Sequence, residues 1–194
     1  MVLFERTDPQ SDGMQFKSNA LSGGERNRLF MRADGNFKEL TLVSGADFRE
    51  DGRGFVLFDY NNDGWVDVGV TSPNEPRFRI LKNRFADLTG KNKSSSISIQ
   101  LVGGHQSKEP TTEWSPRDPF GATLLVTIGD QKRLFLYSGG EGLSSQNSNW
   151  MHIGLGENEK IDRVEIQWPS GKKSVKENLE ANSKVRVFEN PDEG

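Results

Sequence analysis

Polar and apolar residues alternate along most of this 194-residue chain. Ile97, Ile99 and Leu101 alternate with Ser96, Ser98 and Gln100, and Leu124, Val126 and Ile128 lead to a turn at Gly129-Asp130. Leu134 and Leu136 follow on the return segment. Val164, Ile166 and Trp168 alternate with Glu165 and Gln167 up to Pro169-Ser170-Gly171, and Val185 and Val187 open the last segment. Side chains on a strand point to opposite faces in turn, so each segment predicts a half-buried strand with one face on a core. Recurrence at roughly 8–12 residues, with turn signals between, predicts an antiparallel sandwich or barrel. Nearer the N-terminus, Gly54–Phe58, 65–71 and Phe78–Asn83 read as further strands. Asp34-Gly35-Asn36 joins 29–31 to 37–42 as a hairpin. No window keeps a helical period, and 177–182 would make one helical turn at most.

The polar stretch 91–96 marks a boundary between residues 1–92 and residues 93–194. Composition narrows the function classes. Hydrophobic residues make up 32% and mean hydropathy is −0.70, yet 12 Phe and 4 Trp argue for a packed core and against disorder. The balance of 25 basic and 28 acidic residues gives a net charge of −3, which draws the chain to neither nucleic acid nor an anionic membrane. No cysteine is present, which removes disulfides, thiol catalysis and Cys-based zinc sites together. No apolar run is long enough for a membrane helix, and residues 1–10 lack the basic start and apolar stretch of a signal peptide.

The richest chemistry lies at 59–67, Asp-Tyr-Asn-Asn-Asp-Gly-Trp-Val-Asp. Oxygen-bearing side chains fall at loop positions 1, 3, 5 and 9, as Asp59, Asn61, Asp63 and Asp67, with Gly64 at the sharp turn of position 6. The carbonyl of Trp65 would serve at position 7. Ca²⁺ takes six to eight hard oxygens, and this spacing offers them from one short loop. Three carboxylates within nine residues repel each other unless a cation sits between them. Position 12, a bidentate Glu in an EF-hand, is Val70, and the flanking segments read as strands. The expectation is therefore a calcium loop in a β-hairpin. A bare Asn-Asp-Gly hairpin turn would need neither Asp59 nor Asp67.

The stretch from Gly54-Phe55-Val56-Leu57-Phe58-Asp59 to Asp67-Val68-Gly69-Val70 resembles the FG-GAP repeat, a propeller-blade unit. The resemblance implies that Asp59, Asn61, Asp63 and Asp67 hold calcium by their side chains and Trp65 by its carbonyl. It casts residues 27–30 and Phe78–Asn83 as flanking outer strands. The second half is similar to the ASPIC/UnbV domain, found downstream of FG-GAP repeats in the cartilage acidic protein group and its bacterial relatives. Ile97-Ser98-Ile99-Gln100-Leu101-Val102-Gly103, Phe120-Gly121-Ala122, residues 139–146 and Met151-His152-Ile153-Gly154-Leu155-Gly156 carry that resemblance. Its most specific piece is Val164-Glu165-Ile166-Gln167-Trp168-Pro169-Ser170-Gly171. Together the two imply an all-β protein with a blade-like calcium sheet over 1–92 and a β-sandwich over 93–194. They imply a secreted, periplasmic or cell-surface binding protein of adhesion or matrix type, without enzymatic activity. One sheet of a repeat fold cannot bury both faces alone. The first region is expected to pack on the second or to end a longer propeller.

The loops 103–120 and 139–150 are long and rich in Gly, Ser and Pro, as binding loops on a rigid frame are. Trp114 and Trp150 are candidate anchors for a protein or glycan, with Glu113, Asp118 and Glu141 as an acidic rim. A carboxylate pair across a groove there would instead mark a glycan-active enzyme or carbohydrate-binding module. Leu21-Ser22-Gly23-Gly24-Glu25 imitates an ATPase signature, but no phosphate-cradling loop accompanies it, since Ile166 stands where the Gly before Gly171-Lys172 must be. His152 reads as a structural histidine in a strand and His105 as a loop residue, and the two make no metal pair in sequence.

Overall fold

The alternating segments fold as strands in a computed structural model. It describes residues 4–6, 26–49, 51–73, 75–90, 95–105, 109, 111–140, 142 and 145–193. They belong to two compact units, one of Met1–Lys93 with Glu141–Asn147, the other of Ser94–Gly140 with Ser148–Gly194.

The first unit comprises β1 (Phe4–Arg6), β2 (Phe30–Ala33), β3 (Asn36–Glu39), α1 (Thr41–Ser44), β4 (Gly54–Phe58), β5 (Asp67–Thr71), β6 (Phe78–Asn83) and α2 (Phe85–Thr89). The hairpin β2–β3 turns at Asp34 and Gly35, whose φ values of 54° and 79° are both left-handed, as a two-residue turn matched to strand twist requires. The expected strand over 37–42 stops at Glu39. Ser44 donates through Oγ to the carbonyl of Thr41 and accepts from the Ala46 N–H, and these local bonds make a helical turn in place of a ladder. The main sheet runs β1-β6-β5-β4, all antiparallel. Leu57, Val68 and Leu81 share one row across it. On that face Ala46, Phe48 and Leu81 are buried with Val68 and Val70 against them, while Phe55 stays 47% and Leu57 38% exposed. The half-covered face leaves a cavity of about 340 Å³ lined by Phe48, Phe55, Leu57, Val68, Val70 and Leu81 among others. Asn147 reaches the edge of the sheet, where its Oδ1 accepts from the Leu57 N–H at 2.8 Å.

The second unit holds β7 (Ser96–Val102), β8 (Thr123–Ile128), β9 (Gln131–Leu136), β10 (Met151–Gly154), β11 (Lys160–Gln167), β12 (Lys173–Glu180) and β13 (Ser183–Phe188). They form two sheets, β10-β7-β13 and β12-β11-β8-β9. Ile97, Ile99, Leu101, Ile153 and Val187 from the first interdigitate with Leu124, Val126, Ile161, Val164 and Ile166 from the second, all at most 1% exposed. Trp168 closes the core at 1% exposure, its indole N–H donating to Ser174 Oγ at 2.8 Å. This is the all-β sandwich that the alternation predicts.

Three details depart from the sequence reading. Residues 177–180 continue β12, because the register Lys160↔Glu180 to Gln167↔Lys173 pairs every residue of the strand except Asn178, whose φ is 53°. Leu134 and Leu136 point outward, 71% and 62% exposed, because Phe135 lies opposite the buried Leu124 and takes the core face. The pair β13–β7 is parallel, since the chain crosses between sheets at Ala181 and Asn182.

One carboxylate ties the loops of this unit. Glu189, 5% exposed, follows β13 directly. Its Oε2 accepts from the N–H groups of Gly104, at 3.0 Å, and Ser115, at 2.8 Å. Its Oε1 accepts from Ser115 Oγ at 3.0 Å and from Ser170 Oγ. Ser115 Oγ in turn accepts from the Ser170 N–H at 3.1 Å. Burial pushes the Glu189 carboxyl up, but these donors outweigh it and hold the group below its ordinary value of 4.5.

Glu189→Gln places an amide donor against donors that already converge there. Urea or thermal unfolding at neutral pH is expected to show a loss of about 1–3 kcal/mol, the cost of unsatisfied buried polar groups. The lowered carboxyl contributes its stability in full above pH 4.5 and loses it as the pH falls through the folded value. The gap between wild type and variant should therefore narrow in acid. Equal stability at pH 7 would refute the role.

Candidate functional site

The loop 59–67 joins β4 to β5, and its chain path is set by its own acids. Asp59 caps the turn: its Oδ1 accepts from the Asp63 N–H at 3.1 Å and its Oδ2 from the Gly64 N–H at 2.9 Å. Asp63 Oδ1 accepts from the Trp65 N–H at 2.8 Å, and Asn61 Nδ2 donates to Asp63 Oδ2 at 2.7 Å. Asn62 and Gly64 take left-handed φ values of 58° and 82°, which fold nine residues back on themselves. Asp67 sits at the loop exit as the first residue of β5 and is 0% exposed. Its Oδ2 accepts from the Tyr60 N–H at 3.1 Å and its Oδ1 from the Asn83 N–H at 2.7 Å. The strand expected to begin at residue 65 begins at 67, because Val66 gives its carbonyl to Asn83 Nδ2 at 3.1 Å.

Burial pushes the Asp67 carboxyl above its ordinary value, against the two N–H donors that pull it down, and the charges of Asp63 and Asp59 push the same way as burial. No Lys or Arg among the described residues pairs with any of the three. The five predicted ligand residues thus occupy one loop. As they stand, no three His, Cys, Asp or Glu side chains among the described residues are close enough together to hold a metal ion. The donor set is hard oxygen throughout and suits Ca²⁺.

In the second unit the predicted anchors are packed elements. Trp114 lies across Gly104, where a Cβ would come within 2.6 Å of its ring, so only glycine fits beneath the indole. The Lys172 ammonium stands 3.3 Å from the ring centroid and donates to the Glu113 carbonyl at 2.6 Å. Trp150 is half-buried, with the Arg186 guanidinium 5.8 Å from its ring centroid. The Asp118 carboxylate is shared between Arg117, at 2.7 Å, and Asn149 Nδ2, at 3.4 Å. The Tyr137 hydroxyl donates to the Asn149 carbonyl at 2.7 Å and its ring stacks on Phe120, so 118–120 and 149 are knitted to the strand ends. Glu113 is exposed. Glu141 and the motif at 21–25 lie outside the described residues. His152 faces Ser98 across β10 and β7, with Nδ1 and Oγ 3.5 Å apart, and His105 belongs to an isolated bridge with Pro116.

Sequence reasoning missed Asn83 and Glu189. Each follows an ordinary strand pattern, and no motif marks a residue whose hydrogen-bond partners lie far away in sequence. A search of curated proteins returns no match to the chain. Residues 111–194 match the family described as ASPIC and UnbV.

Proposed function

We propose that this protein is a calcium-stabilised binding protein that recognises a protein or glycan outside the cytoplasm, without catalysis of its own. The observation that carries the calcium part is Asp67. It is a fully buried carboxylate with a raised pKa, coupled to two further acids in a loop of hard oxygen donors. A dication drawn to Asp59, Asn61, Asp63, Asp67 and the Trp65 carbonyl would neutralise that charge and fix the hairpin. The resemblance of 54–70 to the FG-GAP repeat supports the same reading, as does the frequent pairing of that repeat with the ASPIC/UnbV domain.

Recognition is assigned to the loops around Trp114 and Trp150. They are tied to the sandwich by Glu189 and Tyr137, and they carry half-buried indoles packed with Lys172 and Arg186. Glu189, a buried carboxylate saturated by four donors, has no proton to offer a reaction at neutral pH. Asp118 is engaged by Arg117 and Asn149, and Glu113 faces solvent.

Calcium should raise the melting temperature and EDTA should lower it. At 100-fold excess over the dissociation constant, the native state gains about 2.7 kcal/mol. Asp63→Ala should abolish the shift, and Asn62→Ala should keep most of it. Terbium in place of calcium should emit on indole excitation, and Trp65→Phe, which keeps the carbonyl, should dim that emission while preserving the thermal shift. A melting curve indifferent to calcium would overturn the metal reading.

For recognition, a glycan array and a pull-down compare wild type with a Trp114→Ala, Trp150→Ala double variant shown by circular dichroism to be folded. Loss of binding is expected. Binding that survives would overturn the surface, and measurable glycan hydrolysis would overturn the assignment as a binder.

A further inference from the structure

We infer that the outward face of the sheet β10-β7-β13 is a binding surface for an acidic glycan, a polymer of uronic acids whose carboxylates the Arg186 guanidinium receives. This surface rests on the reading of the second unit as a binder and gives that binder a ligand class. Ile97, Ile99, Leu101 and Val187 of the sheet are buried in the core, so Ser98, Gln100, Lys184 and Arg186 between them face the other way. His152 lies opposite Ser98, and Ser98 opposite Lys184. Gln100 lies opposite Arg186, and its Oε1 accepts from Arg186 Nε at 2.8 Å. Trp150, one residue before β10, has its ring centroid 5.8 Å from the same guanidinium. Two rows of side chains thus cross the three strands, about 7 Å apart as alternate residues on one face are.

The charge of this face runs against that of the chain. The net charge is −3, yet β7, β10 and β13 contain no Asp or Glu. Lys184 and Arg186 are exposed. Arg117 and Arg163 each sit on an acid of their own. Among the described residues no carboxylate pairs with Arg186, whose bonds are spent on Gln100 and the Trp150 ring. A guanidinium fixed at Nε and open at its two terminal nitrogens meets the two oxygens of a carboxylate in parallel. An acidic peptide would add to a strand edge through its main chain. A sheet face offers side chains alone, here an indole, an amide, a hydroxyl and an imidazole beside the cations. Those groups meet rings and hydroxyls, so the carboxylate that fits is one carried on a sugar.

The test uses the full chain and two probes, an oligogalacturonate and the same oligomer with its carboxyl groups methyl-esterified. Calorimetric titration is expected to show the free acid binding at least about tenfold tighter than the ester, which keeps the sugar and loses the charge. Arg186→Lys keeps the charge without the fork and is expected to weaken binding of the acid by about tenfold. Lys132→Gln, on β9 of the other sheet, removes one exposed positive charge and is expected to change it by no more than about twofold. Equal affinity for acid and ester, unchanged affinity in Arg186→Lys, or an equal loss in both variants would overturn the inference. Tighter binding of dextran sulfate than of the oligogalacturonate would also overturn it. Wild type that ignores both oligomers yet binds a protein or a neutral glycan through Trp114 and Trp150 would overturn this surface and leave the binder reading standing. Wild type that binds nothing in any arm would overturn both. A second measurement needs no variant. Titration with the acid is expected to shift the backbone amide resonances of Gln100, His152 and Arg186. Shifts confined to other strands would overturn the surface even if Arg186→Lys failed to fold.

Discussion

Asp67 and Glu189 are buried acidic residues, and each must find its donors in the chain itself. Glu189 receives four, two from backbone and two from hydroxyls, and its charge is held more firmly than in water. It pins the chain at residues 104, 115 and 170, so loops that leave different strands share one fixed point. Asp67 receives two, and two neighbouring acids work against it. The same type of group is thus a finished staple in one unit and an unbalanced charge in the other. A carboxylate whose donors outweigh its burial keeps its charge, while one whose burial outweighs its donors is pushed toward its neutral form.

The frame of the sandwich was legible because its strands alternate cleanly. Leu124, Val126, Val164 and Ile166 announce a buried face by spacing alone, and they form it. The failures came where local pattern and tertiary pairing disagree. Leu134 and Leu136 look inward by composition, but register is fixed by the partner strand, and that gives the core position to Phe135. Residues 177–182 allow a helical turn in isolation because Glu177, Leu179, Glu180 and Ala181 suit a helix, yet pairing with β11 overrides a propensity worth tenths of a kilocalorie per residue.

The loop at 59–67 was legible for a different reason. It forms a turn between β4 and β5 whose acids bond the backbone N–H groups of their own segment, so its path is written locally. What supports the loop is not local. Asn83 reaches it from the end of β6, and Ser115 and Ser170 reach Glu189 across 74 and 19 residues. Such partners are chosen by the fold, and a lone serine or asparagine carries no spacing to betray it.

The segment Glu141–Asn147 belongs with the first unit, although the chain on both sides of it builds the sandwich. Asn147 supplies the acceptor for the edge of β4, 90 residues upstream. A chain emerging from the ribosome therefore completes its N-terminal sheet late, after β7, β8 and β9 have been made. Order of synthesis and order of completion run opposite ways in this molecule, and the edge of β4 must wait, uncapped by Asn147, until the strands of the other unit have passed.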